Sequence, residues 1–172
     1  MVHSLRSNKQ VGKIMQLDLA KAYDKLSWAY IKEVLKAYGF NHNWIRWVMA
    51  LVSSVSFSIM LNGSPSRTFI PSRGLIQGDI LYPFLFVLMM EGLGRAIKIK
   101  NGEGRIQGLK LAPDGDASTH QQFVDDIMLQ GIPTVKEARA FKQILNDFAL
   151  AASIEVSLDK SKVFFFNTDI AI

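Results

Sequence analysis

The stretch QQFVDDIMLQ, at residues 121–130, sets two adjacent aspartates between two short runs that carry apolar side chains. This pattern predicts a strand, an acidic tip and a returning strand. Working outward, IMQLDL at residues 14–19 is a short, mostly apolar run with Asp18 near its end, which predicts a buried strand that delivers a carboxylate at its edge. We therefore expect Asp18, Asp125 and Asp126 to converge, although they are remote in the sequence.

Helical periodicity follows the first predicted strand. Apolar residues recur every three or four positions over residues 26–38, and Gly39 ends the pattern. Residues 43–51 predict a second helix. Its apolar face is expected to contain Trp44, Trp47, Val48 and Leu51.

Two more helices are predicted further along the chain. Residues 80–97 form an apolar segment with Pro83 in the first turn, where its missing N–H costs little. We expect this helix to be buried. Residues 137–151 show the one-sided apolar spacing of an amphipathic helix.

The remaining segments predict strands and turns. Residues 55–61 alternate toward Asn62–Gly63, a strong hairpin signal, with residues 69–70 as the returning strand. Further elements are a strand at 105–111, a turn at 113–116 and a last strand at 163–166. Strands flanking helices, with a hairpin in the middle, indicate an α+β fold.

Composition restricts the class of protein. The 172 residues suit one domain, and 49% hydrophobic with 20% charged residues exclude a disordered chain. The absence of cysteine and three scattered histidines exclude disulfide scaffolds and zinc motifs. The longest uncharged apolar run, residues 80–90, is too short to cross a bilayer of about 30 Å. With no secretory signal pattern, we expect an intracellular protein, nuclear or cytoplasmic, and no membrane partner.

The aspartates are the candidate chemical groups. Carboxylates brought together repel one another, so they require a compensating cation, and Mg²⁺ accepts one or two carboxylates together with substrate phosphates. Two such ions about 3.5 to 4 Å apart can activate a hydroxyl and stabilise a leaving oxygen, as in nucleotidyl transfer. In the plain alternative, Asp18 caps a helix while Asp125 and Asp126 form an ordinary solvated turn.

Four motifs occur in order along the chain: LDLAKAYDKLSW at 17–28, GSPSRTFIPSRGLIQGDILYP at 63–83, FVDD at 123–126 and SLDKS at 157–161. In this order they resemble the palm motifs of reverse transcriptases, most closely those of LINE-type, non-LTR retrotransposons of plants. The resemblance covers nearly the whole chain. It implies one reverse transcriptase-like domain over residues 1–172, with a palm-like antiparallel sheet, packed helices and part of the fingers. Upstream fingers and the thumb are expected to be missing, which would weaken nucleic-acid binding and turnover.

The resemblance also implies roles for the carboxylates. Asp18 and Asp125 match the ligands of two Mg²⁺ ions, for which Mn²⁺ can substitute. Leu19 offers a backbone carbonyl to the metal, and Asp126 is the neighbouring aspartate. The implied reaction is RNA-directed DNA synthesis on an RNA template, in which a DNA primer 3′-hydroxyl attacks the α-phosphate of a dNTP.

Further roles follow from the same resemblance. Tyr23 matches the aromatic gate that rejects a 2′-hydroxyl, and its plain alternative is an aromatic residue on the buried side of a helix. Arg73, Gln77 and Gly78 resemble the segment that lies along template and nucleotide. Lys160 resembles the lysine that assists the departing pyrophosphate, with a solvated cation as the alternative.

Several positions depart from the family pattern. Where the family usually has a basic residue, a proline and a serine, this chain has Ile76, Ile80 and Tyr82. Gln121–Gln122 replaces an apolar pair in the central strand, and Ser157 stands where asparagine is usual. A second interpretation is therefore a noncatalytic remnant that binds nucleic acid through its net charge of +5. A third, a metal-dependent phosphatase or nuclease, explains the carboxylates but not the segment at 73–79.

Overall fold

The strand predicted at residues 14–19 lies inside the main sheet of the protein. A computed structural model describes residues 11–76, 78–110 and 115–167. In chain order the elements are β1 (Gly12–Ala20), α1 (Ala22–Lys25), α2 (Trp28–Ala37), α3 (His42–Ser53), β2 (Met60–Leu61), β3 (Ser64–Pro65), α4 (Leu81–Gly102), β4 (Leu109–Lys110), β5 (Ala117–Ser118), β6 (His120–Phe123), β7 (Asp126–Gly131), α5 (Val135–Ala152) and β8 (Glu155–Phe166).

The main sheet is antiparallel, with its strands in the spatial order β6, β7, β1, β8. β1 is therefore an inner strand whose two neighbours come from the last third of the chain. Lys13, for example, pairs with Gly131 on one side and Phe165 on the other. Together with the helices this confirms the α+β prediction and the palm-like sheet.

Alternation along β1 separates the two faces of the sheet. Leu17 and Leu19 are buried in the large core, whereas Gln16 is exposed and Asp18 is only partly buried. The helices thus cover the leucine face, and the aspartate lies on the opposite face. On that opposite face Ile14 packs with Leu109 in a small separate cluster.

The large core lies between the sheet and helices α4 and α5. Its fully or almost fully buried side chains include Phe86, Met89, Leu93, Phe141 and Ile144. Leu17 and Leu19 of β1 and Ile127 and Leu129 of β7 pack into this core. The core therefore holds the two strands that carry Asp18 and Asp126.

Short polar side chains define where three of the helices begin. The side chains of Ser27, Asn41 and Thr134 accept hydrogen bonds from backbone N–H groups in the first turns of α2, α3 and α5. Such caps satisfy donors that have no partner within a helix. The helices predicted at 26–38, 43–51 and 137–151 are confirmed.

The predicted buried face of α3 is wrong in part. Trp47 is 62% exposed and Leu51 is 54% exposed, whereas Ile45, Val48 and Val52 are buried. Ile45, Val48 and Val52 follow the i, i+3, i+7 spacing equally well, and α2 packs on their side. Spacing alone placed Trp47 on the apolar face, but its side chain lies on the surface.

Helix α4 is confirmed, yet it is not buried on all sides. Ile80 is 86% exposed just before its first turn, and Phe84 is 70% exposed. The opposite side of the helix carries Phe86 and Met89, which have no exposed surface. An apolar run can thus present one face to the core and another to solvent.

The expectation that Gln121 and Gln122 occupy a central strand is also wrong. β6 lies at the edge of the sheet, where Gln121 is exposed. Gln122 is partly buried, and its Nε2 donates to the carbonyl of Met90 at 3.4 Å. The two amides therefore impose no unpaired polar group on the core.

The predicted central hairpin is confirmed with shorter strands. β2 and β3 pair antiparallel, and a bridge joins Phe57 to Phe69. Asn62 and Gly63 have φ of 48° and 83°, the two positive values that a type I′ turn requires. The final strand is longer than expected, since β8 begins at residue 155.

Some predicted positions fall outside the described residues. They are Gln77, the end of the 105–111 strand and the first half of the 113–116 turn. The described part of the 105–111 segment contains the short strand β4. Across the residues that the structure describes, no helix is long and apolar enough to cross a membrane.

Candidate active site

Two strands bring the predicted aspartates to one end of the sheet. Asp18 of β1 is the Cα partner of Asp126, the first residue of β7. Directly opposed residues of an antiparallel pair project from the same face, with Cβ atoms about 4.5 to 5.5 Å apart. Asp125 precedes Asp126 in the turn, so all three predicted carboxylates belong to the same end of the sheet.

The turn that carries Asp125 is strained. Val124 and Asp125 form the two-residue connection between β6 and β7, and Val124 has a φ of 56°. A positive φ is unusual for a β-branched residue, and such strain is typical of functional sites. The partly buried Val124 packs against the core, which helps to hold the turn in this form.

Tyr23 lies beside the same turn. It belongs to α1, immediately after β1, and its ring stacks on Phe86 with centroids 4.3 Å apart. Burial, and secondarily the charge of Asp125, raise the pKa of the Tyr23 hydroxyl. The phenol therefore lies within electrostatic reach of the acidic tip while its ring is fixed from behind.

A loop from the middle of the chain is fastened to this region by backbone contacts. Leu75 N–H donates to the carbonyl of Tyr23 at 2.8 Å, and Gly74 N–H donates to that of Leu26 at 2.8 Å. The indole Nε1 of Trp28 donates to the carbonyl of Gly74 at 2.8 Å. The loop that follows Arg73 is thus fixed directly against the Tyr23 segment.

This loop lines a cavity of about 430 Å³ together with α3 and the central hairpin. Arg73 and Asp24 are its charged lining residues. Gly78 has a φ of +105°, and a Cβ at this residue would meet nothing within 4 Å. Gln77 lies outside the described residues. The structure therefore places Arg73 against the Tyr23 segment and leaves the predicted contacts of Gln77 undescribed.

Sequence reasoning missed a role for Asp79. Its Oδ1 accepts a hydrogen bond from Leu81 N–H at 2.8 Å, at the start of α4. An aspartate next to a glycine and before an apolar helix is a signal that could have identified this contact.

Lys160 lies in an irregular part of β8 beside Asp18. Gln16 pairs with Lys162 and Asp18 pairs with Ser157, so four residues of β8, 158–161, stand opposite Leu17 alone. Lys160 is exposed within this bulge. The structure thus places the predicted lysine next to the strand that carries Asp18, a proximity that residue spacing alone did not predict.

The donor atoms at this edge fit a hard divalent cation. Carboxylates of Asp18, Asp125 and Asp126 and the carbonyl of Leu19 are oxygen donors of the kind that Mg²⁺ prefers. Within residues 11–76, 78–110 and 115–167, no three acidic or histidine side chains are gathered closely enough to hold a metal between them. One or two carboxylates with substrate phosphates are a usual Mg²⁺ set, so the metal roles of Asp18, Asp125 and Asp126 stay predictions.

An antiparallel sheet backed by helices, with aspartates on an inner strand and on the adjacent turn, is the architecture of a polymerase palm. Residues 2–169 match the family described as reverse transcriptase (RNA-dependent DNA polymerase). The chain belongs to this family.

Individual relatives are polyproteins of non-LTR retrotransposons. The chain is 33% identical over 152 residues to the retrovirus-related Pol polyprotein of the type-2 retrotransposable element R2DM of Drosophila melanogaster, a match that covers 86% of this chain and 13% of that protein. It is 27% identical over 129 residues to the Pol polyprotein of a type-1 R2 element of Popillia japonica, covering 74% and 17%. The chain therefore spans less than a fifth of these relatives. It is a reverse transcriptase domain of the non-LTR retrotransposon type.

Solved structures show the same fold. Apo telomerase of Candida tropicalis, truncated from its C-terminal domain, superimposes with a TM-score of 0.68 at 13% identity, over 99% of this chain and 34% of that one. Telomerase of Candida albicans in complex with a fragment of telomeric RNA gives 0.69 at 14% identity, over 99% and 29%. These matches confirm the polymerase-like sheet and helices.

Proposed function

We propose that this chain carries the nucleotidyl-transfer site of an RNA-directed DNA polymerase. The proposal rests on one observation above all, that Asp18 faces Asp126 across β1 and β7 with Asp125 in the adjoining turn. The substrates would be an RNA template, a DNA primer and dNTPs. The domain would extend over residues 1–172 and act inside the cell, in the nucleus or cytoplasm.

The proposed metal ligands are Asp18, Asp125 and the carbonyl of Leu19. These ligands are expected to hold two Mg²⁺ ions, and Mn²⁺ can replace Mg²⁺. When bound, such ions favour deprotonation of a hydroxyl and offset the negative charge that develops on phosphate oxygens. Asp126 would add negative charge and orient its neighbour.

In the proposed reaction, the primer 3′ oxygen forms a bond to the α-phosphorus of a dNTP. The bond from that phosphorus to the pyrophosphate oxygen breaks, and the hydroxyl proton passes to solvent. Lys160 would give a proton to the departing pyrophosphate from its exposed position in the bulge. Positioning and electrostatic stabilisation supply most of the catalysis in phosphoryl transfer of this kind.

Tyr23 and the loop after Arg73 would hold the nucleotide. The Tyr23 ring, stacked on Phe86, would lie under the sugar and exclude a 2′-hydroxyl. Arg73 would contact template or nucleotide, together with Gln77. Gly78 would let the backbone approach a ligand closely, because no side chain intervenes.

Primer extension with Asp125→Ala tests the proposal. The wild-type chain should extend a DNA primer on an RNA template in Mg²⁺, and Asp125→Ala should lower the rate on the order of 100-fold or more, because the ion that Asp125 would hold stabilises the charge of the transition state. Asp147→Ala is the matched control, because Asp147 is exposed on α5, in the helix layer. It should extend primer at the wild-type rate.

The outcome also separates the two main interpretations. A noncatalytic remnant would bind nucleic acid with strong salt dependence, extend no primer and respond to neither substitution. That result would contradict the proposed polymerase activity.

A further inference from the structure

The bulge in β8 removes regular ladder contacts next to Asp18. Residues 158–161 stand opposite Leu17 alone, and pairing resumes at Ser157 opposite Asp18. Bulges of this kind leave backbone groups of the ladder without their usual partners. β1, which carries the proposed metal ligand Asp18, therefore lacks regular pairing with β8 beside that residue.

One hydroxyl closes the interruption. Ser161 Oγ donates to the carbonyl of Ser157 at 2.6 Å, and the backbone N–H of Asp18 donates to Ser161 Oγ at 3.3 Å. Ser161 is partly buried, whereas the bulge residues before it are exposed. The hydroxyl thus ties the two ends of the bulge together and supplies an acceptor to Asp18.

We propose that Ser161 is a positioning residue for Asp18. Through its two hydrogen bonds it fixes the backbone from which the Asp18 carboxylate projects, and it keeps the bulge that bears Lys160 closed beside β1. This inference rests on the proposed function, because it makes Ser161 a determinant of how well Asp18 holds a divalent ion. Serine is suited to the task because one hydroxyl both donates and accepts.

Alanine at this position would leave both backbone groups without the hydroxyl. Asp18 N–H would lose its acceptor and the Ser157 carbonyl would lose its donor. Threonine would keep the hydroxyl. The pair Ser161→Ala and Ser161→Thr therefore separates loss of the hydrogen bonds from a change in packing.

The first measurement is Mn²⁺ binding to the complete chain. Electron paramagnetic resonance detects the binding, and the metal is the only ligand added. Ser161→Ala should weaken binding about 10-fold, the usual effect of removing a group that orients a metal ligand. Ser161→Thr should stay within about twofold of the wild type. Ser66→Ala is the control, since Ser66 Oγ also bridges backbone groups, accepting from Ile59 N–H at 2.8 Å, but does so in the central hairpin.

The second measurement is amide hydrogen exchange at Asp18, read by NMR, which needs no catalytic activity. In the wild-type chain this amide should exchange at least about 10-fold more slowly than an unpaired amide, because it donates to Ser161. Ser161→Ala should remove that protection. If Ser161→Ala does not fold, the wild-type exchange rate and the Thr variant decide the question.

Primer extension then gives a kinetic signature. Ser161→Ala should lower kcat with little change in the KM for dNTP, because the nucleotide contacts proposed for Tyr23 are untouched. Unchanged Mn²⁺ binding in Ser161→Ala, or an unprotected Asp18 amide in the wild type, would overturn the inference. If the wild type extends no primer but its Mn²⁺ binding depends on Ser161, the proposed function fails and the positioning role stands.

Discussion

At the scale of single residues, Gly74 shows how tightly the middle loop is held. Its φ is +89°, and a Cβ built on it would lie 2.6 Å from the backbone carbonyl oxygen of Asp24. Backbone cannot yield as a flexible side chain can. The loop that carries Arg73 therefore lies against the Tyr23 segment only because residue 74 has no side chain.

Gly74→Ala should destabilise the protein by about 3 kcal/mol or more, because left-handed strain adds to a backbone clash. Gly39→Ala is the matched control, since Gly39 has a φ of +77° and a Cβ there would meet nothing within 4 Å. It should cost only about 1 kcal/mol, the strain alone. Urea unfolding of both variants measures the difference, and equal losses would show that residue 74 tolerates a side chain.

At the scale of elements, the edge strand β6 packs a histidine against α4. A Cβ built on Gly94 would lie 3.1 Å from the Nε2 of His120, so the ring packs closely on the helix backbone. The Nδ1 of His120 is 2.9 Å from the Thr119 hydroxyl. Burial, followed by the positive charge of Lys98, lowers the pKa of His120, while Glu91 opposes the shift. The folded protein therefore favours the neutral ring.

Stability should fall as the pH drops through the ordinary histidine range. Because the pKa of His120 is lower in the folded state than in the unfolded state, the unfolded chain takes up the proton first below a pH of about 6.5. His120→Gln should reduce the loss of unfolding free energy between about pH 7.5 and about pH 5, by no more than about 1.4 kcal/mol per pH unit. Urea unfolding at the two pH values tests this, with the exposed His42→Gln as the control that should behave as the wild type.

Elements with a strong local signal were predictable from the sequence. The Asn62–Gly63 turn and the periodic helices depend on neighbouring residues, so their spacing was enough. The exposure of Trp47 and the edge position of Gln121 were not predictable, because they depend on which element packs on which side. The bulge at 158–161 depends on a register between strands at opposite ends of the chain, which local pattern does not contain.

The candidate site, like the fold, was predictable only in part. Motif order identified Asp18, Asp125 and Tyr23, and the fold brings their segments together at one sheet end. Ser161 belongs to the SLDKS motif, but the motif does not predict the role of its hydroxyl, because the contact with Asp18 spans 143 positions.

At the scale of the whole molecule, the sheet depends on its last strand. β1 is an inner strand only because β8 pairs with it along nearly its full length, from Gly12 opposite Phe166 to Ala20 opposite Glu155. Contacts of such long range form late and cooperatively. The proposed active site therefore cannot be complete until β8 has joined the sheet.

A chain that ends at residue 154 should lose cooperative unfolding, because β1 would lose one of its two neighbours and would face solvent. The control replaces Met60–Leu61 through Ser64–Pro65 with a glycine–serine linker, since the strands of that hairpin are exposed throughout. It should cost about 1 kcal/mol or less, as loop changes on a surface do. Urea unfolding followed by circular dichroism distinguishes the two, and a cooperative transition in the shortened chain would contradict this dependence on β8.

The turn at Val124 bears on any effort to engineer a hardier variant. Glycine would suit its positive φ better and would be an early choice for relaxing the backbone. The same exchange would discard the branched side chain that props the tip against the interior, leaving Asp125 on a looser hinge. Heat resistance and catalytic precision would then be in competition at this one position, and screening for thermal tolerance alone would select the wrong molecule.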